Sequence, residues 1–332
     1  MTRATAVGSY PGDDARDFAE AVRLVLGELA PPDGVPHLPE LPGRGAAASM
    51  TGRGLAVVSA LGADLQPAGW RLTDAPGVDH RRARSLLAQD LDAVEEQAQD
   101  LTGTFKVQVA GPWTLAATVE KPRGDKVVSD HGARRDLAQA LAEGLRGHVA
   151  DVRRRIGAER LVVQVDEPAL AAVLEARVPT ASGFGRHRAV HPPEASEALQ
   201  WVLEAITGAG GEPWVHTCSA GTPLELVRGA GARGLSVDLD VLGAAELDQV
   251  AEALDAGETV ALGVVPGADP GPATAAEVTE RVQRLLDMLG LEVEEVSPRL
   301  LLSPACGLAG ASPPWVRTAL RTCREAAANL TG

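Results

Sequence analysis

Seven short runs rich in Val and Leu recur along the chain, separated by longer stretches of helical period, and this alternation narrows the possible folds most. The runs are Thr5–Ser9, Lys106–Gly111, Leu161–Pro168, Pro213–Cys218, Gly234–Asp240, Thr259–Val265 and Arg299–Gly307. Nearly continuous hydrophobicity is what strands need when a parallel sheet is covered on both faces. Between them lie amphipathic patterns such as Ala133–Gly157, and one that stops at Gly208, a residue suited to ending a helix. In the second half the strands repeat at roughly 25–50 residues, the spacing of βα units. An eighth strand is expected in the weakly patterned stretch Leu55–Leu72. The chain is therefore expected to form a (β/α)8 TIM barrel, with an open doubly wound sheet as the alternative. The Pro- and Gly-dense segment Glu28–Gly54 is expected to be an irregular N-terminal loop insertion over one end of the barrel. Residues 1–332 are expected to make one catalytic domain, and because aromatics supply only 3% of the chain, Leu, Val and Ala must fill its core.

Charge and composition remove several classes of function. A net charge of −14 leaves no broad basic surface for a nucleic-acid backbone, so no nucleic-acid partner is expected. No run reaches the roughly 18–20 apolar residues that a bilayer requires, so no membrane association is expected either. The opening stretch is broken by Gly8 and Pro11 and does not read as a signal peptide, which points to a cytoplasmic location. The three cysteines, Cys218, Cys306 and Cys323, do not form the even framework of a disulfide scaffold. Cys323 lies in the last helical pattern and reads as structural.

In a barrel of this type, chemistry belongs at the C-terminal ends of the strands. The predicted strand ends carry Ser9, Asp166 with Glu167, His216 with Cys218, Asp238 with Asp240, and Cys306. Residues two apart on a strand share a face, which turns His216 and Cys218 the same way, and Asp238 and Asp240 likewise. His216, Cys218, Cys306 and one of the two aspartates would satisfy a tetrahedral zinc ion. Each residue also has a plainer role: a lone Cys as a small buried hydrophobe, a lone His as a satisfied core residue, an Asp as a cap. The remaining histidines fall in loops or on helix surfaces and are not assigned to a metal.

Taken in order, "VGSYPG" (Val7–Gly12), "VAGPWTLA" (Val109–Ala116), "VQVDEPAL" (Val163–Leu170), "VHTCSA" (Val215–Ala220) and "SPACGL" (Ser303–Leu308) resemble motifs of the cobalamin-independent methionine synthase family. The resemblance is to its C-terminal catalytic barrel, within the methionine synthase/uroporphyrinogen decarboxylase fold group. It implies a zinc-dependent methyltransferase that moves a methyl group onto the thiol of homocysteine. The zinc ligands it implies are His216, Cys218, Asp240 and Cys306, with Asp240 standing where the family has Glu, about two dozen residues after the His. Asp166 would receive the substrate ammonium and Ser9 its carboxylate, while Glu167 is a candidate acid by position. The family's acid next to a matching Met is missing at Met50, and Glu40 is the residue that could replace it. The basic run that usually follows the last Cys is also missing. The family's duplicated N-terminal half has no counterpart in this chain, so the resemblance implies a short form whose donor is methyl-folate or a methylcorrinoid protein. Alternatives are a uroporphyrinogen-decarboxylase-like enzyme, a zinc methyltransferase for another thiol, and a metal-carrying partner protein without catalysis.

Overall fold

The computed structural model describes residues 1–269 and 274–331, the last of these through its backbone alone. Its strands are β1 (Arg3–Ala4), β2 (Gly62–Gln66), β3 (Gly69–Thr73), β4 (Thr104–Ala110), β5 (Arg160–Asp166), β6 (Glu212–Thr217), β7 (Gly234–Asp238), β8 (Thr259–Val265) and β9 (Leu300–Pro304). Seven of them form one parallel sheet in the order β1-β9-β8-β7-β6-β5-β4, curled and surrounded by helices. The architecture is α/β and TIM-barrel-like. Six of the seven apolar runs supply its strands, with ends shifted by a few residues, whereas the first strand, Arg3–Ala4, lies just before the run Thr5–Ser9.

The sheet is apolar on both faces, and the composition of its inner face changes along its length. Val162, Trp214, Ala261 and Leu301 join Val35 in a small buried cluster of their own. Two residues further along the same faces come Gln164, His216, Gly263 and Ser303. The opposite faces pack with the helices into the main core. A dry floor thus lies below a polar layer at the C-terminal strand ends.

The eighth strand is not where the sequence pattern placed it. Within Leu55–Leu72 and just beyond, β2 and β3 pair antiparallel as a hairpin in a separate two-stranded sheet. Gln66 pairs with Gly69, so only two residues connect the arms. Such a connection cannot cross over to a parallel neighbour. The alternating burial of β3, with Trp70 and Leu72 inside, is the period of a hairpin covered on one face.

Part of the Pro/Gly-rich segment behaves differently from a loop over the rim. Residues 34–40 are buried and run alongside both edges of the sheet. Val35 donates to the Ala4 carbonyl (2.8 Å) and Glu40 to that of Gly8 (2.9 Å), while on the other side Leu38 donates to Lys106 (3.0 Å) and Lys106 to Pro36 (2.9 Å). Pro36 and Pro39 have no N–H to give, so the bridges are isolated and no regular ladder forms. Two prolines in seven residues also hide the segment from a strand pattern.

Beside this segment lies a buried charge network. Asp90 accepts from both terminal nitrogens of Arg44 (2.7 Å each) and from Arg53 (2.5 Å), and Arg53 also pairs with Glu40 (3.0 Å). The Arg44 guanidinium lies 4.6 Å from the Phe18 ring centroid.

Candidate metal and substrate site

The C-terminal strand ends open on a cavity of about 400 Å³ lined by Ser9, Glu40, Gln108, Asp166, His216, Cys218 and Cys306, together with apolar and glycine neighbours. His216 is the penultimate residue of β6, in register with Asp166 on β5 and Ser236 on β7. Its Nδ1 lies 3.0 Å from the Ser236 hydroxyl and 3.1 Å from the Ser236 carbonyl. The carbonyl can only accept, so a proton on Nδ1 satisfies it and leaves Nε2 with a free lone pair. Nε2 is buried and has no hydrogen-bond partner.

Cys218 follows directly after β6, and Cys306 lies just past β9. Their sulfurs are 3.2 Å apart. The Cys218 thiol is held above its ordinary pKa, first by its hydrogen bond to Cys306 and then by burial. Cys306 is pulled below its own, first by Cys218 and then by His216. Of the two sulfurs, Cys306 is therefore the one that gives up its proton more readily. Ligand atoms of His216, Cys218 and Cys306 all lie within 4.8 Å of one another. One imidazole and two sulfurs make a donor set suited to zinc, and the unpartnered Nε2 gives that set its nitrogen.

The two aspartates after β7 part company. β7 ends at Asp238, and a 3-10 turn, Leu239–Val241, begins immediately. The Asp238 carboxylate accepts from the Asp240 backbone N–H (2.9 Å), which caps that turn. The strand alternation expected to align the two residues is thereby broken. Neither carboxylate belongs to the His–Cys–Cys cluster; Asp240 is exposed and pairs with Arg281 at 2.5 Å. Asp238 is half-buried. Burial, then the charges of Asp240 and Cys306, raise its carboxyl, with a hydrogen bond and His216 opposing.

Asp166 and Glu167 are neighbours with separate tasks. Asp166 lines the cavity and accepts from Gln164 Nε2 (2.8 Å). Gln164 Oε1 in turn accepts from Lys106 Nζ (3.0 Å), which also donates to the Val7 carbonyl (2.9 Å). Lys106 is fully buried, and burial lowers its pKa while the Asp166 and Glu40 charges support it. Burial raises Asp166, against the pull of His216, Gln164 and Lys106. An amide thus links a buried cation to a buried carboxylate at the cavity wall.

Glu167, in contrast, accepts from the backbone N–H groups of Trp113 (2.9 Å) and Thr114 (2.8 Å) and from the Thr114 hydroxyl (2.7 Å). Those donors open the helix Pro112–Thr118, whose N-terminal groups need such a partner. Glu167 is buried and does not line the cavity. In this arrangement the carboxylate expected as an acid is engaged by the start of a helix. Burial raises its pKa to about 7, with the three donors acting the other way. Glu167→Gln should lower stability by about 1–3 kcal/mol, because an amide nitrogen then faces N–H donors. Chemical denaturation checks this, and the pH dependence of turnover should keep its shape.

Ser9 sits on the rim beside the Cys306 loop. Its carbonyl accepts from Leu308 (2.8 Å), and a Cβ on Gly307 would come within 2.0 Å of its hydroxyl oxygen, so any larger residue after Cys306 would have to turn that hydroxyl away. Two lining residues carried little or no signal in the sequence. Gln108 lies inside an apolar run and was unmarked. Glu40 was marked only by the missing acid near Met50. Its place on the cavity follows from the route of residues 34–40 between the sheet edges.

The fold is an α/β one with a polar cavity at the C-terminal ends of a curled parallel sheet. The family described as the cobalamin-independent synthase catalytic domain matches residues 91–329. The chain belongs to this family and is a methyltransferase. Among solved structures, that of a B12-independent methionine synthase from Shewanella sp. W3-18-1, in complex with selenomethionine, is similar over 100% of this chain and 98% of its own. The TM-score is 0.66 at 14% identity, a likeness of fold. A GH20 β-N-acetylhexosaminidase from Streptomyces coelicolor A3(2) aligns with a TM-score of 0.35 at 12% identity, over 71% of this chain and 61% of its own. No curated protein matches the sequence. Among the described residues, no helix is long and apolar enough to cross a membrane.

Proposed function

We propose that the chain is a zinc-dependent methyltransferase that converts homocysteine to methionine, working in the cytoplasm. The observation that carries this reading is the buried His216 Nε2, free of any partner beside two sulfurs 3.2 Å apart. His216, Cys218 and Cys306 would hold the metal, with Asp238 in place of Asp240 as the carboxylate, since Asp240 is engaged by Arg281. When bound, zinc supplies the positive charge that lets an incoming thiol lose its proton near neutral pH.

The remaining groups bind and orient. Asp166 and Glu40 present carboxylates to the substrate ammonium, and Ser9 offers a hydroxyl to its carboxylate. Placing the sulfur in line with a donor methyl contributes through proximity. The new bond forms between sulfur and the methyl carbon, and the donor keeps the electron pair of the bond that breaks. A methylcorrinoid donor can leave without protonation. Methyl-folate would need a proton on its leaving nitrogen, and Glu167, turned toward a helix end, is not placed to give it. This favours a corrinoid donor over methyl-folate. We also propose that residues 1–332 form a single (β/α)8 barrel in which residues 34–40 take the eighth position; its bounds include residues 270–273 and 332, outside the described residues.

Two measurements test this reading. In metal analysis of purified variants, Asp238→Asn should lower zinc affinity at least ~10-fold, whereas Asp240→Asn should leave it within about twofold. The reverse pattern would return the ligand role to Asp240. Calorimetry should show homocysteine binding to zinc-loaded protein and at least ~10-fold weaker binding to metal-stripped protein. Equal binding by both forms would remove the metal from substrate recognition.

A further inference from the structure

Gln108 belongs to no motif of the sequence, yet it is 5% exposed and lines the reaction cavity. It lies on β4 two residues after Lys106, on the same face, and in register with Gln164 on β5. Its Nε2 donates to the Leu38 carbonyl at 2.6 Å. That carbonyl can only accept, so the amide cannot be turned round, and Oε1 is the atom left over. Oε1 is buried and has no partner.

The neighbouring backbone keeps the amide where it is. Gly8 has φ +151°, and a Cβ there would come within 2.6 Å of the Gln108 side-chain carbon. The close approach of Gly8 makes the room that the amide occupies. A buried acceptor without a donor is costly, and the cavity wall around it offers two more acceptors, Asp166 and Glu40. Glu40 is held by Arg53, and Asp166 by Gln164. Asp166 and Glu40 thus bring two carboxylates to that wall, and Gln108 lies beside them with its amide oxygen buried and unpartnered.

We infer that Gln108 is a specificity-determining residue, its Oε1 accepting one N–H of the substrate's primary ammonium while Asp166 and Glu40 take the other two. An ammonium has three N–H groups, and three acceptors match it in number. The site then selects thiols that carry a free primary amine and discriminates against the same thiols without one. This rests on the reading of the cavity as an amino-thiol site, and it adds a recognition element that the His–Cys–Cys cluster does not supply.

Calorimetry on the zinc-loaded full chain tests it with two thiols, homocysteine and its desamino counterpart 4-sulfanylbutanoate. The proteins are wild type, Gln108→Leu and Gln108→Met, the last preserving length and packing against Gly8. A hydrogen bond to a charged group predicts that both variants lose roughly 10–100-fold in homocysteine affinity. Binding of 4-sulfanylbutanoate should stay within about twofold, which also reports that the variant cavity is intact. An unchanged ratio of the two affinities would overturn the role of Gln108. If wild type binds 4-sulfanylbutanoate as tightly as homocysteine, no ammonium site exists and the amino-thiol reading falls as well.

Discussion

Cys306→Ser is expected to abolish stoichiometric zinc and to lower methyl transfer at least ~100-fold. Cys306 is one of only three groups whose ligand atoms cluster among the described residues at the strand ends. Its thiolate is already favoured by Cys218 and His216. A serine hydroxyl in its place keeps its proton at neutral pH and offers a hard, weak donor instead of a soft one. The loss should appear in elemental analysis before any assay of turnover. Because Cys306 is exposed on a loop beyond β9, the fold itself should hardly change. Full zinc occupancy in this variant would remove Cys306 from the ligand set and leave only one sulfur.

Asp90→Ala should have the largest effect on stability, a loss of about 3–5 kcal/mol. The carboxylate is buried between Arg44 and Arg53, whose side chains are 8% and 4% exposed. Removing it leaves Arg53 with Glu40 as its one carboxylate and takes away the carboxylate that Arg44 pairs with. Burial opposes charge on Arg53, and the nearby carboxylates, Glu40 and Asp90, more than offset that cost in the intact protein. The consequence reaches the cavity, since Arg53 is also the partner that holds Glu40. A denaturant melt should therefore show the lost stability, and homocysteine binding should weaken in the same variant. A loss below about 1 kcal/mol would mean that water reaches the arginines and that the network is not a buried one.

How far the sequence disclosed the fold depended on hydrophobic period. The runs from Lys106 onward are long, apolar and bounded by amphipathic helices, and each supplies a strand of the parallel sheet. The run Thr5–Ser9 missed its strand by a few residues: regular pairing is confined to Arg3–Ala4 just before it, and Ser9 makes only an isolated bridge to Glu40. The failures came where period and backbone chemistry disagree. Within the 55–72 stretch only β3 alternates as a hairpin arm does, and the two-residue turn rules out a crossover. Residues 34–40 are buried against both sheet edges, yet Pro36 and Pro39 break the donor pattern that would identify a strand.

The candidate site was legible in its reactive types and less so in its geometry. His216, Cys218 and Cys306 converge as the ends of β6 and β9 require. The aspartates did not follow the strand rule, because Asp238 ends β7 and caps the next turn with its own carboxylate. Glu167 looked like a second acid beside Asp166, but adjacent residues on a strand point to opposite sides. One faces the cavity and the other a helix N-terminus. Gln108 and Glu40 depend on contacts between segments far apart in the chain, Leu38 with β4 and Arg53 with the 34–40 segment, and no local pattern reveals such contacts.

The most direct test of the central claim is methionine formation from homocysteine by the zinc-loaded chain, with methylcobalamin and 5-methyl-folate offered separately. Product should form with methylcobalamin, depend on the metal, and disappear in Cys306→Ser. Homocysteine left unmethylated by both donors, while the protein carries full zinc, would contradict the assignment of this site to homocysteine methylation.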